Sequence, residues 1–271
     1  MRRGVYILPS LFTVGTLMCG YYALIKALQG SLALAAGGFE GMSAAAFDTA
    51  AKAIGIAIVF DGLDGRIARL TNSTSAFGRE FDSLADVTTF GVAPAILAYA
   101  WGIRSISEMV GPPLIEHLRE IGWVVTFLYV ICGAARLGRF NIESVKPTAD
   151  RRYFVGMPIP AAAGTIAAIV HWEKTPLEHW GYSLGWMAVV ALLAFLMVSR
   201  MRYYSFKTLD LRKRRSYLAI IFLGIIIWAI WLYSEPVLLT IAITYALSGI
   251  ILRIVSKFRP HPPAPEEVHA A

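Results

Sequence analysis

Residues 61–86, DGLDGRIARLTNSTSAFGREFDSLAD, decide how this chain is read. Four aspartates, Asp61, Asp64, Asp82 and Asp86, lie in this stretch, and apolar sequence of helix length flanks it on both sides. A carboxylate within a hydrophobic span costs roughly 2.5–3.5 kcal/mol on insertion scales, so four together call for a compensating cation. Asp61 and Asp64 are three residues apart and Asp82 and Asp86 are four apart, which puts each pair on one face of its own helix. The connector at residues 70–77 is rich in Thr, Asn and Ser and suits a short turn between antiparallel helices. Folding the two helices together is expected to gather all four carboxylates. An all-oxygen set of this kind selects hard divalent cations: Mg²⁺, Mn²⁺ or Ca²⁺.

The neighbours of the aspartates fit the same chemistry. Gly65 and Gly78 allow close approach of a helix or a substrate to the backbone. Arg69 is a fixed cation suited to gripping a phosphate through two hydrogen bonds. Metal-binding acids, a phosphate-gripping arginine and small residues together describe phosphoryl-type transfer. The plainer alternative is that the aspartates cap helices and pair with Arg66, Arg69 and Arg79. That alternative does not require face-matched spacing on two successive helices.

The rest of the chain sets the context. Of its 271 residues, 57% are hydrophobic and 16% charged, against about 25% charged in a soluble domain. The class is an all-α polytopic membrane protein: one transmembrane helix bundle at residues 1–258, then a Pro-rich polar tail at 259–271 expected to be disordered. The net charge of +7 reads as cytoplasmic loop bias and attraction to anionic lipid headgroups, with no nucleic-acid partner. Cys19 and Cys132 read as small packing residues in apolar runs.

About eight spans of membrane-crossing length are expected. The first holds Pro9 in its opening turns and is read as a retained helix, although Arg2 and Arg3 before an apolar run resemble a signal peptide. The others fall at 43–70, 82–103, 121–138, 157–172, 182–199, 216–234 and 236–255, the last two parted by a tight turn at Ser234, Glu235 and Pro236. The 157–172 span is short and Ala-rich. With both termini cytoplasmic, all but five of the 25 lysines and arginines lie on the cytoplasmic side, as the positive-inside rule requires. This topology places the aspartates at the cytoplasmic face. Asp48 and Lys52, at i,i+4, are expected to pair near the outer end of the second helix. The basic run at 209–217 is a topology signal, and the five histidines, none at metal-ligand spacing, are assigned no role.

Asp61-x-x-Asp64-Gly65-x-x-Ala68-Arg69, eight residues, then Gly78-x-x-x-Asp82-x-x-x-Asp86 resembles the complete signature of the CDP-alcohol phosphotransferases. These are integral membrane enzymes that displace CMP from a CDP-alcohol with a second alcohol. The resemblance implies two divalent metal ions, Mg²⁺ or Mn²⁺ with Ca²⁺ also allowed, held by Asp61, Asp64, Asp82 and Asp86. It implies Asp86 as catalytic base on the incoming hydroxyl, and Gly65, Ala68, Arg69 and Gly78 lining the nucleotide and pyrophosphate pocket. Three further blocks, DSLADVTTFGVAPA (82–95), ARLGRFNIE (135–143) and FVGMPIPAAAG (154–164), are similar to the membrane-integral phosphatidylserine synthase branch. That branch implies CDP-diacylglycerol and L-serine as substrates, membrane lipids as surroundings, a homodimer, and a bacterial inner-membrane location with the active site facing the cytoplasm. Two departures from the pattern stand out: Ser10 and Thr16 lie where relatives often have asparagine, and Gly138 lies where they often have alanine.

For the acceptor, Arg136 and Arg139, three apart, with Asn141 beyond them, are candidates to hold the carboxylate of serine. Ordinary positive-inside charge is the competing role for the arginines. Glycerol phosphate, inositol phosphate or choline are the alternative acceptors. A phosphorylated acceptor would want a more basic pocket, and choline an aromatic cage, for which Tyr153, Phe154 and Trp172 are available. A divalent-cation transporter is the alternative from another class, but the acids cluster near one surface and no internal repeat is evident.

Overall fold

The computed structural model describes residues 7–37, 40–70, 76–106, 112–144, 153–204 and 216–258. The helices are Ile7–Ala35 (α1), Glu40–Leu70 (α2), Ala76–Asp86 (α3), Ala93–Gly102 (α4), Pro112–Ser144 (α5), Ile159–Glu173 (α6), Trp180–Val198 (α7), Ser216–Leu232 (α8) and Ser234–Phe258 (α9). A π-helical segment, Val87–Val92, joins α3 to α4 in one rod. Among the described residues, six helical stretches are long and apolar enough to cross a membrane: those in α1, α2, the α3–π–α4 rod, α5, α7 and α9. The chain is an all-α, polytopic integral membrane bundle. The 259–271 tail and the 205–215 part of the basic loop lie outside the described residues.

The remaining two helices are shorter. At 15 residues, α6 rises only about 22 Å. It can be short because it is interior: Ile159, Ala162, Ala163, Ile166 and Val170 are all buried. The alanines that made this span look weak are what let its neighbours close on it. By contrast α5 runs 33 residues, about 50 Å. It outruns the hydrocarbon, so the expected 121–138 span was too short, and the charged block at 135–143 continues the helix beyond it. The expected turn at Ser234, Glu235 and Pro236 is instead the first turn of α9, where a missing N–H on proline goes unnoticed; the break falls at Tyr233.

Two irregular features set up the site. In the π segment the N–H of Ala93 donates to Thr88 O, five residues back, and Pro94 follows in the first turn of α4, where it has no N–H to contribute. The buried Thr89 there donates its hydroxyl to Thr16 O of α1 at 3.2 Å. A β-carbon on Gly20 of α1 would lie 2.8 Å from the Thr89 Cα, so only glycine permits this crossing. The second feature, unforeseen from sequence, is an antiparallel ribbon pairing Tyr153–Val155 (β1) with Arg202–Tyr204 (β2). Gly156 leaves it at φ +82° in the left-handed region, with Met197 O, Ser199 O and the Arg139 guanidinium closing the space a side chain would need.

At the other end of α2, Asp48 and Lys52 pair at 2.7 Å as expected. His171 of α6, given no role from sequence, is buried there. Its Nδ1 bonds to Asp48 and its Nε2 lies 2.9 Å from the hydroxyl of Ser234. With the Lys174–Glu235 ion pair beside it, this cluster ties α2, α6 and α9 together at the end opposite the four aspartates.

Candidate active site

Oxygen atoms of Asp61, Asp82 and Asp86 lie within 4.8 Å of one another. Asp61 and Asp82 are half-buried, whereas Asp86 is 8% exposed. Each ionised pair at that separation repels by ~3 kcal/mol at an effective dielectric of 20. One oxygen of Asp86, Oδ1, is buried with no hydrogen-bond partner among the described residues. Hard carboxylate oxygens, mutual repulsion and an unsatisfied buried acceptor fit a divalent cation.

The fourth aspartate lies outside that 4.8 Å group, although its charge still acts on Asp86. Asp64 is buried and accepts a hydrogen bond from the hydroxyl of Thr13 on α1. Three residues along a helix turn the side chain by ~60° from the starting direction, enough to aim Asp64 at α1 while Asp61 faces α3. Thr13 is a site residue that sequence reading missed. Its only signal was its place between Ser10 and Thr16, three residues from each, on a largely apolar helix.

Gly65 is half-buried on α2 and Gly78 half-buried in the first turns of α3. The two glycines therefore lie on the aspartate-bearing helices beside the cluster. Ala68 and Arg69 belong to the last turn of α2, but their side chains lie outside the described residues, as does the 71–75 connector.

The three acceptor candidates on α5 separate. Arg136 is 6% exposed, with its guanidinium carbon 5.2 Å from the Phe140 ring centroid and 5.8 Å from that of Phe154. Its Nε is buried without a partner among the described residues, and its charge acts on Asp86 and Asp61. Arg139 is committed to the backbone: Nη1 donates to Val198 O at 3.1 Å and Nη2 to Val155 O at 2.7 Å. It clamps β1 to the end of α7. Asn141 Nδ2 donates to Ser83 Oγ at 2.9 Å, joining α5 to the turn between Asp82 and Asp86. Phe140 was missed as a site residue, and Phe154, expected only as a possible wall of a choline cage, packs instead on Arg136.

The CDP-alcohol phosphatidyltransferase family model matches residues 6–198, a region that contains every one of these side chains. The chain is 37% identical over 223 residues to the CDP-diacylglycerol–serine O-phosphatidyltransferase of Helicobacter pylori (strain ATCC 700392 / 26695), covering 82% of each protein. It is 34% identical over 201 residues to the Bacillus subtilis (strain 168) protein of the same name, covering 74% of this chain and 91% of that one. Similarity extends to the archaetidylserine synthase of Methanothermobacter thermautotrophicus, 32% identical over 200 residues, covering 72% of this chain and 69% of the relative.

Proposed function

The chain belongs to the CDP-alcohol phosphatidyltransferase family, and on that premise we propose that it is a phosphatidylserine synthase, transferring the phosphatidyl group of CDP-diacylglycerol to the hydroxyl of L-serine with release of CMP. The observation that carries this reading is a carboxylate cluster, Asp61, Asp82 and Asp86, within electrostatic reach of a buried guanidinium, Arg136, whose Nε has no partner among the described residues. The names of the relatives above support serine as the acceptor.

Asp61, Asp82 and Asp86, with Asp64 contributing the oxygen that Thr13 does not hold, would bind two divalent ions, Mg²⁺ or Mn²⁺. Bound there, the ions supply charge neutralisation for the pyrophosphate and for the leaving CMP. Every other part of the chemistry falls to the chain. Asp86 Oδ1 takes the proton of the serine hydroxyl as that oxygen bonds to the phosphatidyl phosphorus and the bond to the CMP oxygen breaks. Arg136 holds the serine carboxylate, orienting the hydroxyl toward Asp86. Gly65 and Gly78 leave room for the nucleotide and pyrophosphate against the backbone, and Ala68 and Arg69 are assigned to the same pocket on the family signature. The excess of lysine and arginine in alternate loops supports a site at the cytoplasmic face of the membrane, where a lipid headgroup and a soluble amino acid meet.

The aromatic rings argue against choline. The Phe140 and Phe154 rings are occupied by Arg136, the protein's own cation, so they form no free cage for a quaternary ammonium. Trp172 lies on α6 next to His171, at the opposite end of the bundle. The family match leaves the cation-transport alternative without support.

An acceptor screen tests the reading. Purified protein with CDP-diacylglycerol and Mn²⁺ or Mg²⁺ is supplied in turn with serine, glycerol 3-phosphate, inositol phosphate and choline, and CMP is measured. Serine-dependent CMP with phosphatidylserine formed in equal amount is expected. Product from another acceptor and none from serine would overturn the assignment.

A further inference from the structure

The family match ends at residue 198, yet the wall around Arg136 continues into segments beyond it. Phe154, which packs on Arg136 and meets the Phe140 ring at 5.8 Å, is paired in the ribbon directly with Tyr203 of β2. Tyr203 is fully buried, and α9 holds it on three counts. Its hydroxyl donates to Ala246 O at 3.3 Å, and its ring lies 5.6 Å from that of Tyr245. Gly249 presses against the same ring so closely that any β-carbon there would strike it. Tyr245 in turn donates its hydroxyl to Tyr204 O at 3.4 Å and lies within electrostatic reach of Arg136. A continuous packed path therefore runs from α9 through Tyr203 and Phe154 to the guanidinium.

From this path we infer that α9 is the acceptor-selecting element of the site, with Tyr245 and Tyr203 as positioning residues that hold Arg136 where it takes the carboxylate of a hydroxy-amino acid. The inference rests on the function proposed above. Its physical content is that a buried guanidinium flanked by two rings has its direction set by them. Phe140 is fixed by α5 itself, whereas Phe154 sits on a three-residue strand that depends on its partner for position. Loosening α9 frees Phe154, and with it the Arg136 geometry, without touching the aspartates.

The test compares full-length wild type, Tyr245→Leu, Tyr245→Phe and Gly249→Val in detergent. It measures KM and kcat for serine, CDP-diacylglycerol binding, and turnover with ethanolamine, which keeps the hydroxyl and ammonium of serine but lacks its carboxylate. Tyr245→Leu and Gly249→Val should raise KM for serine about tenfold with kcat within about threefold and CDP-diacylglycerol binding unchanged. They should narrow the preference for serine over ethanolamine, and Tyr245→Phe, which keeps the ring packing, should restore most of the loss. Unchanged KM for serine in Tyr245→Leu would overturn the inference, and so would a parallel loss of kcat and CDP-diacylglycerol binding. If Gly249→Val does not fold, the Leu and Phe pair decides alone. A wild-type enzyme that ignores serine but uses another acceptor would instead sink the proposed function.

Discussion

Thr13 of α1 donates its hydroxyl to the buried carboxylate of Asp64 on α2, across 51 positions of sequence. This bond makes α1 part of the site, although the signature motif lies wholly on the next two helices. It also leaves Asp64 with one committed oxygen and one available.

Replacing Thr13 by Val keeps the shape and removes the donor. A buried carboxylate left without its partner costs about 1–3 kcal/mol. The expected result is a several-fold rise in the Mn²⁺ or Mg²⁺ concentration needed for half-maximal turnover, because Asp64 loses the bond that orients it. A metal titration of CMP release checks this, and Thr13→Ser should stay close to wild type.

Gly20 sits against the π segment that follows Asp86, with the Thr89 backbone filling the space of a side chain. Gly20→Val should push α1 away from Thr89 and break the bond from Thr89 Oγ1 to Thr16 O. Overpacking of this kind costs about 1–3 kcal/mol. Thermal unfolding in detergent should shift downward, and activity should fall with it, because the displaced segment carries Asp86 at its start.

The cluster at the far end makes the opposite prediction. His171 is bonded to Asp48 and Ser234, at the ends of α2 and α9 far from Asp61, Asp64 and Tyr245 on the same helices. His171→Ala leaves Asp48 with Lys52 alone and opens a cavity between α2, α6 and α9. Loss of such a buried network should lower stability by about 2–4 kcal/mol. KM for serine and kcat, measured at a temperature where the variant remains folded, should stay within about twofold of wild type.

How much of this was legible in the sequence depends on the range of the interaction. The two aspartate pairs could be read because spacings of three and four select one helix face, a local rule that tertiary packing did not override. Three of the four carboxylates converge as that rule implies. Asp64 lies just outside their group, turned toward Thr13 by the angular offset of a three-residue spacing, while its charge still acts on Asp86. The 157–172 span looked doubtful only because membrane-span length is a lipid-facing criterion, and α6 faces other helices. The β1–β2 ribbon escaped notice because three-residue strands carry no periodicity, and its pairing joins segments nearly fifty residues apart. Arg136 and Arg139 looked alike in sequence. Packing separated them: one turns into the site between two phenylalanines, while the other binds the carbonyls of Val155 and Val198.

The proposed reaction centre is Asp61, Asp82 and Asp86, with Asp86 as its base. Asp86→Asn keeps the volume and removes the proton acceptor. The decisive measurement is serine-dependent CMP release by this variant beside its binding of CDP-diacylglycerol with metal present. A loss of turnover of about 10²–10⁴-fold is expected, with CDP-diacylglycerol affinity largely kept. Turnover within tenfold of wild type would contradict Asp86 as the base.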